Sequence, residues 1–265
     1  MSDTPAPGSA QWNPAQYLRF ADERLRPARD LLGRLPPRAY ARIADLGCGA
    51  GNVTRLLAQA FPDAALVGVD SSAEMLASAR RELPGARFVQ ADIASWQPDA
   101  PLDLVFTNAT LQWLPDHPRL FPSLIGMLAP GGVLAAQFPD MDHHPLRRLI
   151  AEVAAEQPWR EKLLRMPGLE KILSPAAYYD LLAPLVASLD LWVSEYMHVL
   201  EGENPVLEWV KGAALRPALT ALEGAEREAF VATYGARLKS HVRPQGDGRT
   251  LLFFRRMFIV AEVGG

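Results

Sequence analysis

A short apolar strand that runs directly into closely spaced glycines constrains this chain more than any other feature. Residues 43–52 read IADLGCGAGN, so Gly47, Gly49 and Gly51 follow the strand at intervals of two, and a helical pattern begins at Val53. Glycine permits a very tight turn and backbone with positive φ. Such a turn brings bare backbone and the amides of a helix N-terminus next to a ligand. The pattern therefore predicts a strand–turn–helix unit that binds a small molecule.

Two carboxylates indicate the chemistry of that ligand. Asp45 lies two residues before the first glycine, and Asp70 follows the next apolar stretch, where a carboxylate suits a ribose diol. The dinucleotide fingerprint is G-x-G-x-x-G, but here the third glycine arrives one residue early and Asn52 takes its place. Asp45 would also repel a pyrophosphate, whereas it would attract an ammonium and a sulfonium. These features predict S-adenosylmethionine as the ligand and place Asn52 at its site.

Composition limits the class of protein around this turn. A chain of 265 residues with 49% hydrophobic residues is expected to form one large domain, or one domain with an insertion. The net charge of −3 gives no indication of nucleic acid or an anionic membrane as a partner. A single cysteine, Cys48, excludes an internal disulfide and is interpreted as a small filler of the turn. Since neither a signal peptide nor a membrane span is evident, we expect a cytoplasmic enzyme.

Alternating β and α patterns predict a Rossmann-like α/β fold, with a seven-stranded, mostly parallel sheet, an antiparallel last strand and helical cap insertions. The expected strands are 42–46, 65–69, 87–90, 102–107, 132–138, 189–200 and 251–260. The expected helices are 27–35, 53–60, 73–83, 118–128, one ending near Pro158, one around 178–182, and 205–242 with a break at Arg216-Pro217. Residues 1–11 are expected to be disordered. Residues 12–140 would form lid helices and the cofactor-binding core, and 141–265 the substrate cap with the closing strands.

Ligands of doubly wound sheets bind at the carboxyl ends of the strands, which selects further cofactor candidates. Asp92 and Ile93 follow the third strand, where they would contact the adenine, although Asp92 also suits a turn cap. Asn108 and Ala109 end the fourth strand and would face the methionine part of the cofactor. The remaining candidates are Ser71 and Met75 after Asp70, Trp113 beyond the fourth strand, and Trp12 and Tyr17 in an N-terminal lid. Core packing is the alternative role for Met75 and Trp113.

Several segments carry a closer resemblance. The glycine turn resembles motif I of the class I S-adenosylmethionine-dependent methyltransferases. The segments WNPAQYLRF, DLGCGAGN, VGVDSSAEML, FVQADIASWQP, DLVFTNATLQWLPDH, AYYDLL, LRPAL and RRMFIVA together resemble the trans-aconitate 2-methyltransferase family, from Trp12 to about Ala261. This resemblance implies methyl transfer to one carboxylate of trans-aconitate, with the monomethyl ester and S-adenosylhomocysteine as products.

A carboxylate nucleophile has an ordinary pKa near 4 and is ionised at neutral pH, so no general base is needed among the five histidines. Arginine suits the other carboxylates of a tricarboxylate, because its planar fork binds them bidentately. The candidates are Arg165, Arg216, Arg255 and Arg256. Strand alternation places the last two on opposite faces, and the family resemblance favours Arg256. Arg216 is favoured because it stands at the proline-stopped end of a helix.

Polar aromatic residues in the C-terminal half are further candidates for the substrate site, and packing of the cap is their alternative role. They are Tyr178, Tyr179, Tyr196, His198 and Trp209. His143-His144 lacks further ligands at suitable spacing, so no metal is expected.

Other functions stay open at this stage. They are a related carboxyl methyltransferase, including one that acts on a carrier-bound malonyl group, a cofactor-binding protein without catalysis, and a nucleotide-dependent oxidoreductase. The glycine spacing and Asp45 oppose the last of these. The oligomeric state is also open, and a monomer is compatible with the sequence.

Overall fold

The computed structural model describes residues 21–140, 144–163, 166, 172–212 and 214–265. The strands are Arg42–Leu46 (β1), Ala65–Asp70 (β2), Arg87–Gln90 (β3), Leu102–Asn108 (β4), Leu128–Pro139 (β5), Ser188–Leu200 (β6) and Thr250–Glu262 (β7). The helices are Ala21–Leu32 (α1), Asn52–Ala60 (α2), Ala73–Glu82 (α3), His117–Ile125 (α4), Pro145–Ala154 (α5), Arg160–Leu163 (α6), Pro175–Leu182 (α7), Pro205–Lys211 (α8), Arg216–Ala221 (α9) and Gly224–Leu238 (α10). Short 3₁₀ turns cover Leu111–Trp113 and Ala183–Leu185.

The seven strands form one sheet in the order β3-β2-β1-β4-β5-β7-β6. Strand β1 pairs in parallel with β2 and β4, while β7 pairs antiparallel with β5. The predicted α/β fold with an antiparallel closing strand is thereby confirmed. The chain leaves β1 towards β3 and then returns to place β4 on the other side of β1. This reversal is the topological switch point, where such sheets bind their ligands.

Apolar strands explain why this sheet forms at the centre of the fold. Ile43, Leu104, Val105 and Phe106 on β1 and β4 have no exposed surface. Strands that are covered by helices on both faces need such near-continuous apolar runs. The sequence pattern predicts strands here because each apolar run is short and ends at glycine or a polar residue.

Several element boundaries differ from the sequence expectation, and prolines and glycines account for most of the differences. Helix α4 ends at Ile125 and not at residue 128, because Gly126 caps it, and β5 already begins at Leu128. The helix expected to end near Pro158 ends at Ala154. The expected break at Arg216-Pro217 is the beginning of α9, since proline fits the first turn of a helix.

The chain divides into two compact units. The sheet unit comprises Asp22–Asp140, Ile172–Glu195 and Arg255–Gly265. The described part of the helical unit consists of Ala21 and of residues within Met141–Lys171 and Tyr196–Phe254. The helical unit has its own apolar interior, in which Trp159 packs edge-on against Phe230 with ring centroids 5.4 Å apart. None of the described helices has the length and apolar character needed to cross a membrane.

Candidate functional site

The glycine turn between β1 and α2 is held to the end of β2 by backbone hydrogen bonds. The amides of Gly47 and Cys48 both donate to the carbonyl oxygen of Val69, at 2.8 and 3.1 Å. The three glycines have φ values of +77°, +53° and +86°, all in the left-handed region. A residue with a side chain would be strained at each of these positions. Asn52 follows as the first residue of α2.

Gly47 and Gly49 differ in what surrounds them. A Cβ atom at Gly47 would lie 2.1 Å from Thr110 Oγ1, so the turn after β4 closes directly on this glycine. A Cβ atom at Gly49 would meet nothing within 4 Å. One glycine is therefore required by packing within the protein, while the other keeps bare backbone next to an open space of the kind that a ligand needs.

Asp70 fixes the turn from the end of β2. Its Oδ2 accepts a hydrogen bond from the Gly49 amide at 2.9 Å, and its Oδ1 accepts one from the Ser72 amide at 2.9 Å. An ionised carboxylate offers about four lone-pair sites. Each oxygen can therefore still accept a ribose hydroxyl while it holds the backbone. The following residue, Ser71, is exposed, and Ser72 caps α3 by accepting from the Met75 amide.

Asp45 is buried beneath the same turn, with 1% of its surface exposed. Its Oδ2 accepts a hydrogen bond of 2.7 Å from Thr54 Oγ1 on α2. Burial raises the pKa of Asp45 to about 7, the Thr54 hydroxyl opposes that shift, and the neighbouring Asp70 adds to it. Burial also raises the pKa of the Cys48 thiol. Cys48 therefore stays protonated and acts as a filler of the turn, in agreement with its interpretation from the sequence.

The end of β4 carries strained backbone. Ala109 has φ of +55°, and it is held there because its amide donates to the Gln137 carbonyl at 2.7 Å and its carbonyl accepts from Gln112 Nε2 at 2.8 Å. Strained residues of this kind cluster at functional sites. Asn108 Oδ1 and Gln112 Oε1 are buried acceptors that lack a hydrogen-bond donor within the described part of the chain.

The other cofactor candidates have mixed surroundings. Asp92 is exposed, and its Oδ1 accepts from the Ala94 amide at 2.9 Å, which makes it a turn cap with one oxygen left for a ligand. Ile93 is only 7% exposed and packs within the apolar interior of the sheet unit. Met75 and Trp113 are half-buried. Trp12 and Tyr17, together with Arg165, lie outside the described residues, so their roles stay predictions.

The structure adds Gln137, which the sequence analysis did not single out. Gln137 lies on β5, has no exposed surface, and its Oε1 accepts from Arg256 Nη1 at 3.4 Å. Arg256 is 5% exposed on β7, whereas Arg255 beside it is exposed and pairs with Asp140 at 2.7 Å. The expectation that the two arginines face opposite sides is thus confirmed. The one polar amide within the apolar stretch 132–138 is the sequence signal that could have identified Gln137.

Tyr178 lies in the interior of the sheet unit. It was a candidate for substrate binding, but it has no exposed surface, and its hydroxyl lies 2.5 Å from His117 Nδ1. His117 Nε2 lies 2.9 Å from the Leu111 carbonyl and must carry a proton to donate there, so both ring nitrogens of His117 are engaged within the unit. We assign Tyr178 to the core of the sheet unit. Tyr179, one residue on, faces the opposite way and is 57% exposed.

The candidates in the helical unit are either exposed or packed against each other. Arg216 is exposed and begins α9, so the argument from a charge at the end of a helix was wrong. His198 is 4% exposed and lies between Tyr196 and Trp209, with its ring centroid 4.5 Å from that of Trp209. Tyr196 and Trp209 are 4% and 2% exposed. These aromatic side chains lie in the interior of the unit, and a role in substrate binding stays a prediction for them.

Two further histidines in the described part of the chain have local contacts. His144 accepts from the Leu146 amide as the cap of α5, and His241 lies next to Ser240 Oγ and the Arg237 carbonyl. No group of three or more potential metal ligands occurs among the described residues.

These features fit S-adenosylmethionine. The open space at Gly49 admits the close approach of a ligand to the backbone, and Asp70 retains acceptors for a ribose diol. The buried acceptors Asn108 Oδ1 and Gln112 Oε1 call for a donor or a cation, which an ammonium supplies. The buried Asp45 adds negative potential beneath the turn only in its ionised form, and a bound cation would favour that form.

Comparisons with known proteins agree with this geometry. A family model described as a methyltransferase domain matches residues 43–132. Among solved structures, the YcgJ protein of Bacillus subtilis has a TM-score of 0.60 at 17% identity and covers 90% of this chain and 98% of its own. Phosphoethanolamine N-methyltransferase 2 of Haemonchus contortus has a TM-score of 0.55 at 17% identity, over 89% and 52%. At such identities, these two structures show the shared fold.

Curated relatives are much more similar in sequence. The trans-aconitate 2-methyltransferase of Rhodopseudomonas palustris (strain BisB18) is 47% identical over 95% of this chain and 99% of its own length. The protein of the same name from Variovorax paradoxus (strain S110) is 49% identical over 95% and 98%. The similarity extends over nearly the whole of both sequences. The chain belongs to the trans-aconitate 2-methyltransferase family.

Proposed function

We propose that this protein transfers a methyl group from S-adenosylmethionine to one carboxylate of trans-aconitate and so forms the monomethyl ester. The observation that carries the proposal is the near full-length identity with relatives named for this reaction. The geometry at the ends of β1, β2 and β4 supports the same chemistry. We further propose that the protein works in the cytoplasm, as its composition suggests.

The cofactor contributes an electrophilic methyl group on a sulfonium. The chain contributes its binding and orientation. Asp70 would accept from the ribose hydroxyls while it holds Gly49 and Ser72. The second oxygen of Asp92 would accept from the adenine amino group, and the buried acceptors of Asn108 and Gln112 would bind the ammonium.

No proton has to be removed from the substrate, because a carboxylic acid with a pKa near 4 is ionised at neutral pH. The histidines at 117, 144 and 241 have structural contacts, which suits a mechanism without a general base. The residues then accelerate the reaction by alignment. Well-oriented intramolecular reactions reach effective molarities of about 10⁵–10⁸ M, so alignment of oxygen, carbon and sulfur supplies a large part of the rate.

A tricarboxylate also needs cationic partners for the groups that are not methylated. Arg256 is the candidate that the structure favours, because it is almost fully buried in the sheet unit and a guanidinium there has lost most of its hydration. Removing a charged partner from such a site leaves the other charge unpaired, which is costly. The exposed Arg216 and Tyr179 have a weaker case as substrate contacts.

A methyl-transfer screen tests the proposal. Purified protein is incubated with methyl-labelled S-adenosylmethionine and a panel of di- and tricarboxylates, together with a malonyl-loaded acyl carrier protein. We expect the highest kcat/KM with trans-aconitate and an alkali-labile methyl ester as the product. Preferred methylation of the malonyl carrier, or cofactor binding without any turnover, would contradict the proposal.

A further inference from the structure

Gln137 is an unusual residue for the interior of a sheet. It lies on β5 between Ala136 and Phe138, and all three have no exposed surface. A buried amide destabilises a protein unless its polar atoms are hydrogen-bonded. The backbone of Gln137 is engaged, since its carbonyl accepts from the Ala109 amide, but the backbone contact does not require this side chain. The amide group therefore needs another explanation.

The hydrogen bond from Arg256 fixes the orientation of that amide. A guanidinium only donates, so the group that faces Arg256 Nη1 must be the carbonyl oxygen, Oε1. The NH₂ group is thereby turned away from Arg256. Gln137 Nε2 is buried and has no hydrogen-bond acceptor within the described residues. Withdrawal of electrons by the nearby cation also makes the N–H groups stronger donors.

The register of the strands places this donor at the ligand end of the sheet. Gln137 pairs with Asn108 of β4, and Arg256 pairs with Pro139, two residues further along β5. Side chains two residues apart on a strand share a face. Asn108, Gln137 and Arg256 therefore lie on one face, at the carboxyl ends of β4 and β5. Across this edge of the sheet, the buried acceptor Asn108 Oδ1 is followed by the buried donor Gln137 Nε2 and then by the buried cation Arg256.

We propose that Gln137 Nε2 binds the carboxylate of the substrate that is methylated, and that it thereby selects which carboxylate reacts. The inference rests on the proposed function. One oxygen of that carboxylate accepts the hydrogen bond, while the other attacks the methyl carbon. The O–C bond forms as the C–S bond breaks, the bonding pair leaves on sulfur, and no proton moves.

A neutral donor suits this task better than a second arginine. A guanidinium bound directly to the nucleophilic carboxylate would stabilise its negative charge and slow the attack. An amide orients the group and leaves most of its charge in place. Arg256 acts on the nucleophile through Gln137.

The variant Gln137→Met tests this role, because methionine has a similar length and no donor. We expect kcat/KM for trans-aconitate to fall by roughly 10–100-fold, the range of a hydrogen bond to a charged group. The Kd for S-adenosylmethionine should stay within about twofold. NMR of the products should also show an increased fraction of the minor monomethyl esters. A purely structural role would lower the rate without changing the ratio of esters.

Thr107→Val is the matched control. Thr107 is also fully buried and its Oγ1 also lacks a partner among the described residues, but it neighbours Asn108 on the same strand and so lies on the opposite face. This variant should keep the wild-type ratio of esters. If Gln137→Met does not fold, Gln137→Asn, which withdraws the amide by one methylene, must change the ratio in the same direction.

A binding arm separates this inference from the proposed function. Calorimetry with S-adenosylhomocysteine-loaded protein measures the affinity for trans-aconitate in the wild type and in Gln137→Met. Weaker binding by the variant supports the inference even if methylation of trans-aconitate is not detected, a result that contradicts the proposed function alone. Equal behaviour of the two proteins, including the case in which neither binds, overturns the inference, as does an unchanged ester ratio in an active variant.

Discussion

The glycine turn of the sheet unit and the aromatic interior of the helical unit show two different ways in which residues can look functional. In the turn, three glycines have positive φ values, and the Asp70 carboxylate accepts hydrogen bonds from two backbone amides. These constraints leave few alternative roles for the turn residues. In the helical unit, Tyr196, His198 and Trp209 have the polar aromatic chemistry of a binding site, yet they pack against each other. Backbone constraints in the turn therefore leave fewer alternative roles than side-chain type does in the helical unit.

The largest expected effect is at Gly47. Gly47→Ala combines a positive φ with a contact of 2.1 Å to Thr110, so the free energy of unfolding should fall by about 3–5 kcal/mol. Gly49→Ala is the matched control, since its Cβ meets nothing within 4 Å. It should lose only about 1 kcal/mol of stability but most of the affinity for S-adenosylmethionine. Denaturant unfolding measures the stability of each variant, and calorimetry measures its affinity for S-adenosylmethionine. Equal stability of the two variants would contradict the expectation that only Gly47 is required by packing.

Asp45 tests the electrostatics of the turn. Its pKa is raised from 3.8 to about 7 in the folded protein. The folded state therefore binds the proton more tightly than the unfolded state does. The resulting stability is fully present below about pH 4 and is lost as the pH rises through 7, by roughly 4 kcal/mol as an upper limit.

Asp45→Asn should remove this part of the pH dependence in the cofactor-free protein. The affinity for S-adenosylmethionine should change in the opposite direction and rise with pH, because the ionised carboxylate attracts the ammonium. Unfolding curves and titrations between pH 5 and 8 measure both trends. Parallel curves for Asp45→Asn and the wild type would mean that Asp45 is ionised throughout.

A comparison of two arginines decides which unit binds the substrate anion. Arg256→Met in the sheet unit should lower kcat/KM for trans-aconitate by about 100-fold, because a buried carboxylate loses its charged partner. Arg216→Met should cost less than about fivefold, since an exposed charge contributes little. Steady-state kinetics with both variants, supported by unchanged cofactor affinity, is the measurement. The reverse order would move the anion site to the helical unit.

A smaller effect than that of Arg256→Met is expected at Asp70. Asp70→Ala should weaken the binding of S-adenosylmethionine about tenfold or more, because the ribose loses its acceptors and the Gly49 amide loses its partner. Asp70→Asn keeps one acceptor, so its affinity for S-adenosylmethionine should lie between those of Asp70→Ala and the wild type. Calorimetry on folded protein measures the affinities. If Asp70→Ala binds as tightly as the wild type, Asp70 does not contact the cofactor.

The sequence by itself determined the part of the protein that depends on local geometry. Closely spaced glycines after an apolar strand specify a tight turn with positive φ, and a carboxylate at the end of the next strand lies beside it in any parallel βαβ unit. Alternating short apolar runs and helical patterns likewise specified the sheet. The interpretation of Cys48 as a filler also follows from its place within the turn.

Only the tertiary structure decided the roles that depend on distant partners. Tyr178 lies in the core, where its hydroxyl is hydrogen-bonded to His117, 61 residues away in the sequence. No local sequence pattern predicts that contact. Gln137 becomes a directed donor only because Arg256, 119 residues away, turns its amide. The same arginine side chain is a solvated charge at position 216 and a desolvated one at position 256. Burial sets this difference, and burial is a property of the assembled fold rather than of the residue.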